Sequence, residues 1–290
     1  MTDIRYLAPR TLDEAVGAFA AAAGAARILA GGTDLLVQMR AGTARPGLIV
    51  DVKKIAELTA IEEMPDGGFR IGAAVSGMAL AEHPRFGQVW PGVLEAVNLI
   101  GSKQIQGRAS PGGNLCNGSP AGDSVPAVIA AGAVVTVQGP DGRREVPVEA
   151  VPAGPGRTTL APGEIVVSFT LPPRPPGSGD AYLRMIPRTE MDIAVVGCGV
   201  SLTLSDGVCT AARVGLGAVA PTVLLVEEAG RALVGSRLDA AALDAAAAAC
   251  RAACRPIDDK RGTIAYRTRV AGVLLRRAAG IAADRAAGRA

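Results

Sequence analysis

Two short segments of the sequence combine a pair of glycines with side chains that form hydrogen bonds. The first reads AGGTDLL (residues 30–36), and the second, roughly eighty residues later, reads SPGGNLCNGSPAGD (residues 110–123). Because glycine has no Cβ, the N–H groups of a turn that contains two glycines can converge on one anion. Each pair alone would indicate an ordinary tight turn, but together they predict a site for the two phosphates of one dinucleotide.

The polar side chains of these segments fit the same ligand. Asp34 and Asp123 carry carboxylates, which would repel phosphate. We therefore expect each of them either to cap the helix that follows it or to accept a hydrogen bond from a ribose or ribityl hydroxyl. Four neutral side chains suit phosphate oxygens and sugar hydroxyls: Thr33, Ser110, Asn114 and Asn117.

The chain lacks the common nucleotide-binding motifs and has few residues suited to catalysis by a side chain. The Gly-x-Gly-x-x-Gly and Gly-x-x-x-x-Gly-Lys-Ser/Thr motifs are missing, so the dinucleotide must be held in another way. The single histidine, His83, lies far from both segments and is expected to have a surface or structural role. The five cysteines include no Cys-x-x-Cys pair and are expected to fill the core. A bound redox cofactor, rather than a catalytic side chain, is therefore the predicted source of activity.

The composition narrows the class of protein further. The net charge of +3 comes from scattered arginines, and aromatic residues make up 3% of the chain, so nucleic acid is not an expected partner. The N-terminal residues lack the layout of a secretory signal, and the apolar stretches are interrupted before they reach a membrane-spanning length. We expect a cytoplasmic location, or a peripheral one at the inner face of the membrane through an assembly.

The predicted elements place the first glycine pair between a strand at residues 27–29 and a helix that begins near Leu35. Thr11 and Glu14 form a capping-box pattern at the start of an earlier helix. Further strands are predicted at residues 48–52, 133–138, 164–171, 195–204 and 208–216, and three closing helices at residues 223–233, 239–254 and 261–287. A Pro- and Gly-rich linker at residues 172–179 is the best domain boundary. We predict an α+β protein with α/β subdomains at 1–55 and 56–177 and a C-terminal α+β domain at 178–290.

The sequence closely resembles the FAD-binding medium subunits of molybdenum hydroxylases, the family of carbon monoxide and xanthine dehydrogenases. The resemblance covers nearly the whole chain, and its anchors are the two glycine segments and RTEMDIAVVG (residues 188–197). It implies two FAD-binding subdomains of the vanillyl-alcohol-oxidase (PCMH) type. It also implies a C-terminal domain with a three-stranded antiparallel sheet and helices.

The resemblance implies that FAD is the cofactor of this chain, with the flavin ring by Ile100 and Gly101. Arg184 stands where many relatives have a lysine near the ring, and Pro111 removes an N–H donor that relatives have. The implied cofactor-binding residues are Arg27, Ile28, Leu29, Ala30, Gly31, Gly32, Thr33, Asp34, Leu35, Ile100, Gly101, Ala109, Ser110, Gly112, Gly113, Asn114, Asn117, Asp123, Ile165, Val166 and Arg184.

The resemblance also implies an electron path. Electrons leave the substrate at a molybdenum cofactor in a large subunit, cross two [2Fe–2S] clusters in a small subunit and reach the FAD of this chain. An external acceptor (a quinone, NAD or dioxygen) then takes them, and the expected assembly is a dimer of heterotrimers. Two alternatives stay open: a stand-alone flavin oxidase or dehydrogenase, and a non-catalytic assembly protein.

Overall fold

The N-terminal part of the chain forms a parallel three-stranded sheet. The computed structural model describes residues 4–289. The elements are β1 (Arg5–Leu7), α1 (Leu12–Ala21), β2 (Ala26–Leu29), α2 (Leu35–Arg40) and β3 (Leu48–Asp51). Both pairings are parallel, in the order β1-β3-β2, so the first glycine pair connects the edge strand β2 to α2. The Oγ1 atom of Thr11 accepts a hydrogen bond from the N–H of Glu14, which confirms the predicted helix cap.

The second part is built on an antiparallel sheet, whose strands lie in the order β4 (Ile61–Glu63), β5 (Phe69–Gly72), β10 (Ile165–Leu171), β6 (Val134–Gly139) and β7 (Gly142–Pro147). Its core includes the rings of Phe69, Phe86 and Phe169, all fully buried. In chain order its elements are α3 (Ala56–Thr59), β4 (Ile61–Glu63), β5 (Phe69–Gly72), α4 (Gly77–Glu82), α5 (Phe86–Val89), α6 (Pro91–Val97), α7 (Lys103–Gln106), α8 (Pro111–Cys116), α9 (Ser124–Ala130), β6 (Val134–Gly139), β7 (Gly142–Pro147), a 3₁₀ turn (Val148–Ala150), β8 (Pro152–Gly154), β9 (Arg157–Thr158) and β10 (Ile165–Leu171).

The C-terminal part is a second antiparallel sheet covered by helices. Its elements are β11 (Ser178–Met185), β12 (Val196–Ser205), β13 (Val208–Gly217), β14 (Leu224–Leu225), α10 (Glu227–Leu233), α11 (Ala240–Ala253) and α12 (Ile264–Ala286). The three long strands are those that the resemblance implies, and the two-residue β14 adds a short fourth. Strand β11 lies in a stretch where the sequence pattern predicts no strand, and its pairing with β12 defines it. Among the described helices, none has the length and apolar character needed to cross a bilayer.

The second glycine pair lies in a helix, and the prediction of a turn there is wrong. Gly112 and Gly113 are the second and third residues of α8. Ser110 caps this helix, because its Oγ accepts a hydrogen bond from the Gly113 N–H at 3.1 Å. Pro111 takes the first helical position, where a missing N–H costs nothing. The serine cap and the proline together outweigh the low helix propensity of two glycines.

Helix α9 joins the second glycine segment to the C-terminal sheet. It packs across β12 and β13, where Gly199 and Gly215 let its backbone approach closely. A Cβ at Gly215 would lie 2.1 Å from the carbonyl oxygen of Pro126. The C-terminal sheet therefore supports the segment that follows the second glycine pair.

Candidate functional site

A cleft of about 630 Å³ lies at the connection between β2 and α2, and its size is that of a site for an organic ligand. Its walls come from the two glycine segments and from the chain that leads into β10. Most of the residues predicted to bind the cofactor line it: Arg27, Ile28, Ala30, Gly31, Gly32, Thr33, Asp34, Leu35, Ile100, Ala109, Ser110, Gly112, Gly113, Asn114, Asn117, Ile165 and Val166. Four predicted residues lie outside this lining: Leu29, Gly101, Asp123 and Arg184.

The first glycine segment offers a row of unused backbone donors. In the described part of the chain, the N–H groups of residues 31–35 have no hydrogen-bond partner. Gly32 has a φ of +79°, which turns the backbone between β2 and α2 and which few L-residues adopt. Successive N–H groups in such a turn create a positive potential that suits an anion.

Gly31 allows the first glycine segment to touch the chain that leads into the second one. A Cβ at Gly31 would lie 2.2 Å from the carbonyl oxygen of Arg108, so any larger residue would push the segments apart. The Arg108 Nε donates back to the Gly31 carbonyl at 3.4 Å. The absence of a side chain at Gly31 therefore sets the distance between the two walls of the cleft.

The second glycine pair does not offer its N–H groups, contrary to the expectation from the sequence. The Gly112 N–H donates to the Ala73 carbonyl at 3.1 Å, and the Gly113 N–H donates to Ser110 Oγ. In the described part of the chain, the donors that remain here are the Ser110 N–H group and two side chains. Ser110 keeps its hydroxyl hydrogen, and Asn114 keeps its Nδ2 group, which has no partner among residues 4–289. The cleft therefore has a row of backbone donors on one wall, and one backbone donor with two side-chain donors on the other.

Asn114 is held in one orientation by the start of α9. Its Oδ1 accepts hydrogen bonds from the Ser124 N–H at 3.0 Å and from the Ser124 hydroxyl at 2.7 Å. Because a backbone N–H can only donate, the amide oxygen must face Ser124 and the NH₂ group must face the other way. Since Asn114 lines the cleft, this arrangement prepares a donor for the ligand.

Asp34 is not a helix cap, so the capping hypothesis for it is wrong. It directly precedes α2, yet its side chain makes no capping hydrogen bond. Its Oδ1 instead accepts from Asn117 Nδ2 at 3.2 Å, and Asn117 Oδ1 accepts from Gln38 Nε2 at 3.1 Å. Desolvation at the wall of the cleft raises the pKa of Asp34 above its usual value. Its second carboxylate oxygen is left as an acceptor for a hydroxyl.

Asp123 and Arg184 form a buried ion pair away from the cleft lining. Arg184 Nη1 donates to Asp123 Oδ2 at 2.9 Å, and the Tyr182 hydroxyl donates to Asp123 Oδ1 at 3.2 Å. Asp123 makes no capping hydrogen bond with α9, so this capping hypothesis is also wrong. Burial raises the pKa of Asp123 to about 6, although the Arg184 guanidinium acts in the opposite direction.

The chain between β9 and β10 forms one wall of the cleft and contains none of the predicted residues. Glu164 there accepts two hydrogen bonds from Arg144 at 2.7 Å, which hold the pKa of Glu164 below its usual range. No motif marks this wall, because its place depends on the pairing of β10 with β6. The main lining residues that were not predicted are Phe19, Gln38, Thr43, Leu58, Thr158, Leu160, Pro162 and Glu164.

His83 has a structural role, as predicted. Its Nδ1 accepts a hydrogen bond from the Phe86 N–H at 3.2 Å. Its ring also meets that of Phe69 edge to face, with 5.7 Å between centroids. The imidazole therefore fixes the turn between α4 and α5, and it is not among the residues that line the cleft.

A parallel and an antiparallel sheet around a cleft with unused backbone donors define the PCMH-type FAD-binding fold. Residues 2–174 match the family described as "FAD binding domain in molybdopterin dehydrogenase". Residues 181–282 match the "CO dehydrogenase flavoprotein C-terminal domain".

The chain belongs to the FAD-binding medium subunits of molybdenum hydroxylases, the oxidoreductase family of carbon monoxide and xanthine dehydrogenases. It is 37% identical to the carbon monoxide dehydrogenase medium chain of Afipia carboxidovorans, over 94% of each chain. It is 34% identical to the xanthine dehydrogenase FAD-binding subunit of Escherichia coli O157:H7, over 76% of each. The fold matches a chain of reconstituted CO dehydrogenase from Oligotropha carboxidovorans with a TM-score of 0.94 and 36% identity, covering 97% of this chain and 98% of that one.

Proposed function

We propose that this chain is the electron-transfer subunit that carries FAD in a molybdenum hydroxylase complex. It takes electrons from [2Fe–2S] clusters in a small subunit and passes them to an external acceptor, which is a quinone, NAD or dioxygen. A large subunit holds the molybdenum cofactor, and the complex is a dimer of heterotrimers. The similarity to medium chains of carbon monoxide dehydrogenase supports these partners. The cytoplasmic location expected from the sequence is part of the same proposal.

The observation that carries this proposal is the set of unpaired N–H groups at residues 31–35. They lie in a cleft where Arg27 is the one lysine or arginine among the described lining residues, so the backbone must supply most of the attraction for a diphosphate. The Ser110 hydroxyl and the Asn114 Nδ2 group face the same space from the second segment. These donors fit the phosphate oxygens of FAD.

Other lining residues fit the remaining parts of the cofactor. The free carboxylate oxygen of Asp34 would accept a hydrogen bond from a ribose or ribityl hydroxyl. Ile165 and Val166 offer apolar surface to a ring system, and Ile100 is proposed to lie beside the flavin ring. Arg184 and Asp123 are paired outside this lining, so they would influence the bound flavin through their charges rather than by contact. Bound FAD would supply the electron-transfer chemistry of the complex.

The side chains of the cleft favour electron transfer over a stand-alone oxidase. Its ionisable lining residues, within the described chain, are Arg27, Asp34, Cys116 and Glu164. Glu164 is held in its ion pair with Arg144, and the hydrogen-bond partner of Asp34 in the described chain is the amide of Asn117, which is not a nucleophile. The Cys116 thiol is exposed, and the lining residues within the described chain include no histidine that could serve as its base. The cleft therefore lacks a paired base and nucleophile for an organic substrate.

Titration of the purified 290-residue chain with FAD tests the proposal. We expect one equivalent to bind and give two visible flavin bands that bleach on reduction. Co-expression with the large and small subunits should give a complex in which substrate reduces this flavin, and rapid mixing with each acceptor class then identifies the acceptor. A preparation that ignores added FAD, or a single chain that turns over an organic donor by itself, would contradict the proposal.

A further inference from the structure

Helix α2 forms a wall of the cleft without being held by a core. None of its side chains is buried, and Leu36 and Val37 are 51% and 63% exposed. Its inner face, with Leu35 and Gln38, lines the cleft. A six-residue helix is too short to be stable by itself, so contacts outside α2 must hold it in place.

A directed chain of hydrogen bonds links α2 to the end of α8. Gln38 Nε2 donates to Asn117 Oδ1 at 3.1 Å, and Asn117 Nδ2 donates to Asp34 Oδ1 at 3.2 Å. Gln38 and Asn117 are 79 residues apart in the sequence, one in α2 and the other at the end of α8. The backbone of Gln38 is itself fixed, since its carbonyl accepts from the Thr43 N–H and hydroxyl.

We propose that Gln38 is a positioning residue that latches α2 to α8 through Asn117 and so closes the cleft around the dinucleotide. By donating to the Asn117 oxygen, Gln38 directs the Asn117 amide group towards Asp34. That bond occupies one oxygen of the Asp34 carboxylate and leaves the other for the ligand. The N–H groups of residues 31–35 are continuous with α2, so they stay in place when α2 is latched. This inference rests on the proposed function.

The substitution Gln38→Met tests the latch in the full chain, because methionine has a similar length but cannot donate a hydrogen bond. We expect FAD to dissociate about 2- to 10-fold faster, which is the effect of losing one hydrogen bond. The thermal midpoint of the FAD-free chain should stay that of the wild type, since the Gln38 side chain is not part of the core. Gln88→Met, at an exposed glutamine in α5, is the matched control and should change neither quantity.

A double-mutant cycle tests whether Gln38 acts through Asn117. Gln38→Met should have no further effect on FAD release in an Asn117→Ala background. Gln38→Glu, which also lacks the donor and adds a charge near Asp34, should release FAD faster than the wild type even if the methionine variant folds poorly. Release of FAD at the wild-type rate in both Gln38 variants would overturn the latch. It would also be overturned if Gln38→Met accelerated FAD release as much in the Asn117→Ala background as in the wild type. A wild-type chain that binds no FAD would instead overturn the proposed function.

Discussion

Arg184 Nη1 lies 2.9 Å from Asp123 Oδ2, and this contact joins the C-terminal strand β11 to the end of the second cofactor segment. Both side chains are buried: that of Arg184 is 5% exposed and that of Asp123 is 11% exposed. The positive charge that the family resemblance places near the flavin ring is therefore paired with a carboxylate within the protein. Asp123 is the one hydrogen-bond partner of this guanidinium within residues 4–289, and the Arg184 Nε is buried without a partner.

Loss of Arg184 should destabilise the chain strongly. Arg184→Met leaves the Asp123 carboxylate buried without its partner, so we expect the free energy of unfolding to fall by about 3 kcal/mol. Arg184→Lys should cost less, because it keeps the charge. Urea unfolding of the FAD-free chain measures both, with Arg188→Met as the control at an arginine whose side chain is 66% exposed. If Arg184→Met and Arg188→Met lowered the free energy of unfolding equally, the buried ion pair would be contradicted.

The stability of the chain should carry a pH dependence that comes from Asp123. Burial raises the pKa of Asp123 from 3.8 to about 6, so folding takes up a proton between these values. The contribution of this group to stability is complete below the unfolded pKa and is lost as the pH rises through about 6. The free energy of unfolding of Asp123→Asn, measured relative to that of the wild type, should therefore rise by on the order of 2 kcal/mol between pH 4 and pH 7.

Urea unfolding of the FAD-free chain at each pH measures this gain. The change Asp141→Asn, at the exposed turn between β6 and β7, reports the general effect of removing one carboxylate. If the free energies of unfolding of Asp123→Asn and the wild type differ by the same amount at all pH values, Asp123 has the same pKa in the folded and unfolded chains.

The two glycine pairs should differ in their tolerance of alanine. Gly31→Ala places a Cβ 2.2 Å from the Arg108 carbonyl oxygen, so we expect loss of FAD binding as the two walls separate. A Cβ at Gly113 meets only Ser110 Oγ, at 3.2 Å, and alanine favours the helix in which this residue lies. Gly113→Ala should keep its FAD content and its thermal midpoint within a few degrees of the wild type. Flavin absorbance per chain and thermal unfolding measure the two outcomes, and equal losses in both variants would refute this difference.

Asn114→Asp should separate ligand binding from stability. Aspartate keeps the oxygen that accepts from Ser124 but loses the Nδ2 donor and adds a negative charge next to the expected diphosphate. We expect at least a tenfold weaker affinity for FAD, with little change in the unfolding of the FAD-free chain. Ser124→Ala is the complementary variant, because it removes the hydroxyl that orients Asn114 and leaves the Nδ2 donor. Unchanged FAD affinity in Asn114→Asp, measured by titration, would exclude a contact between Asn114 and the cofactor.

Much of the local structure follows from short-range patterns. The cap at Thr11, the strand before Gly31 and the helix at Leu35 were predicted because each depends on neighbours within one or two turns. At the second glycine pair the sequence predicts a turn because two glycines disfavour a helix, but the Ser110 cap and Pro111 outweigh that propensity. The division of the chain at residues 55 and 177 stays a prediction, as do the contacts of individual residues with FAD.

The family, the cofactor and the two segments that meet at the cleft can be read from the amino-acid sequence alone, because glycine pairs and anchor motifs are contiguous. Which donors in those segments are unused depends on the packing of the folded chain. The Gly112 N–H is taken by Ala73, Asn117 is oriented by Gln38, and the Arg184 charge is taken by Asp123. The partners in each of these contacts lie dozens of residues apart, and no local pattern specifies which pairs the packing of three sheets brings within hydrogen-bonding distance.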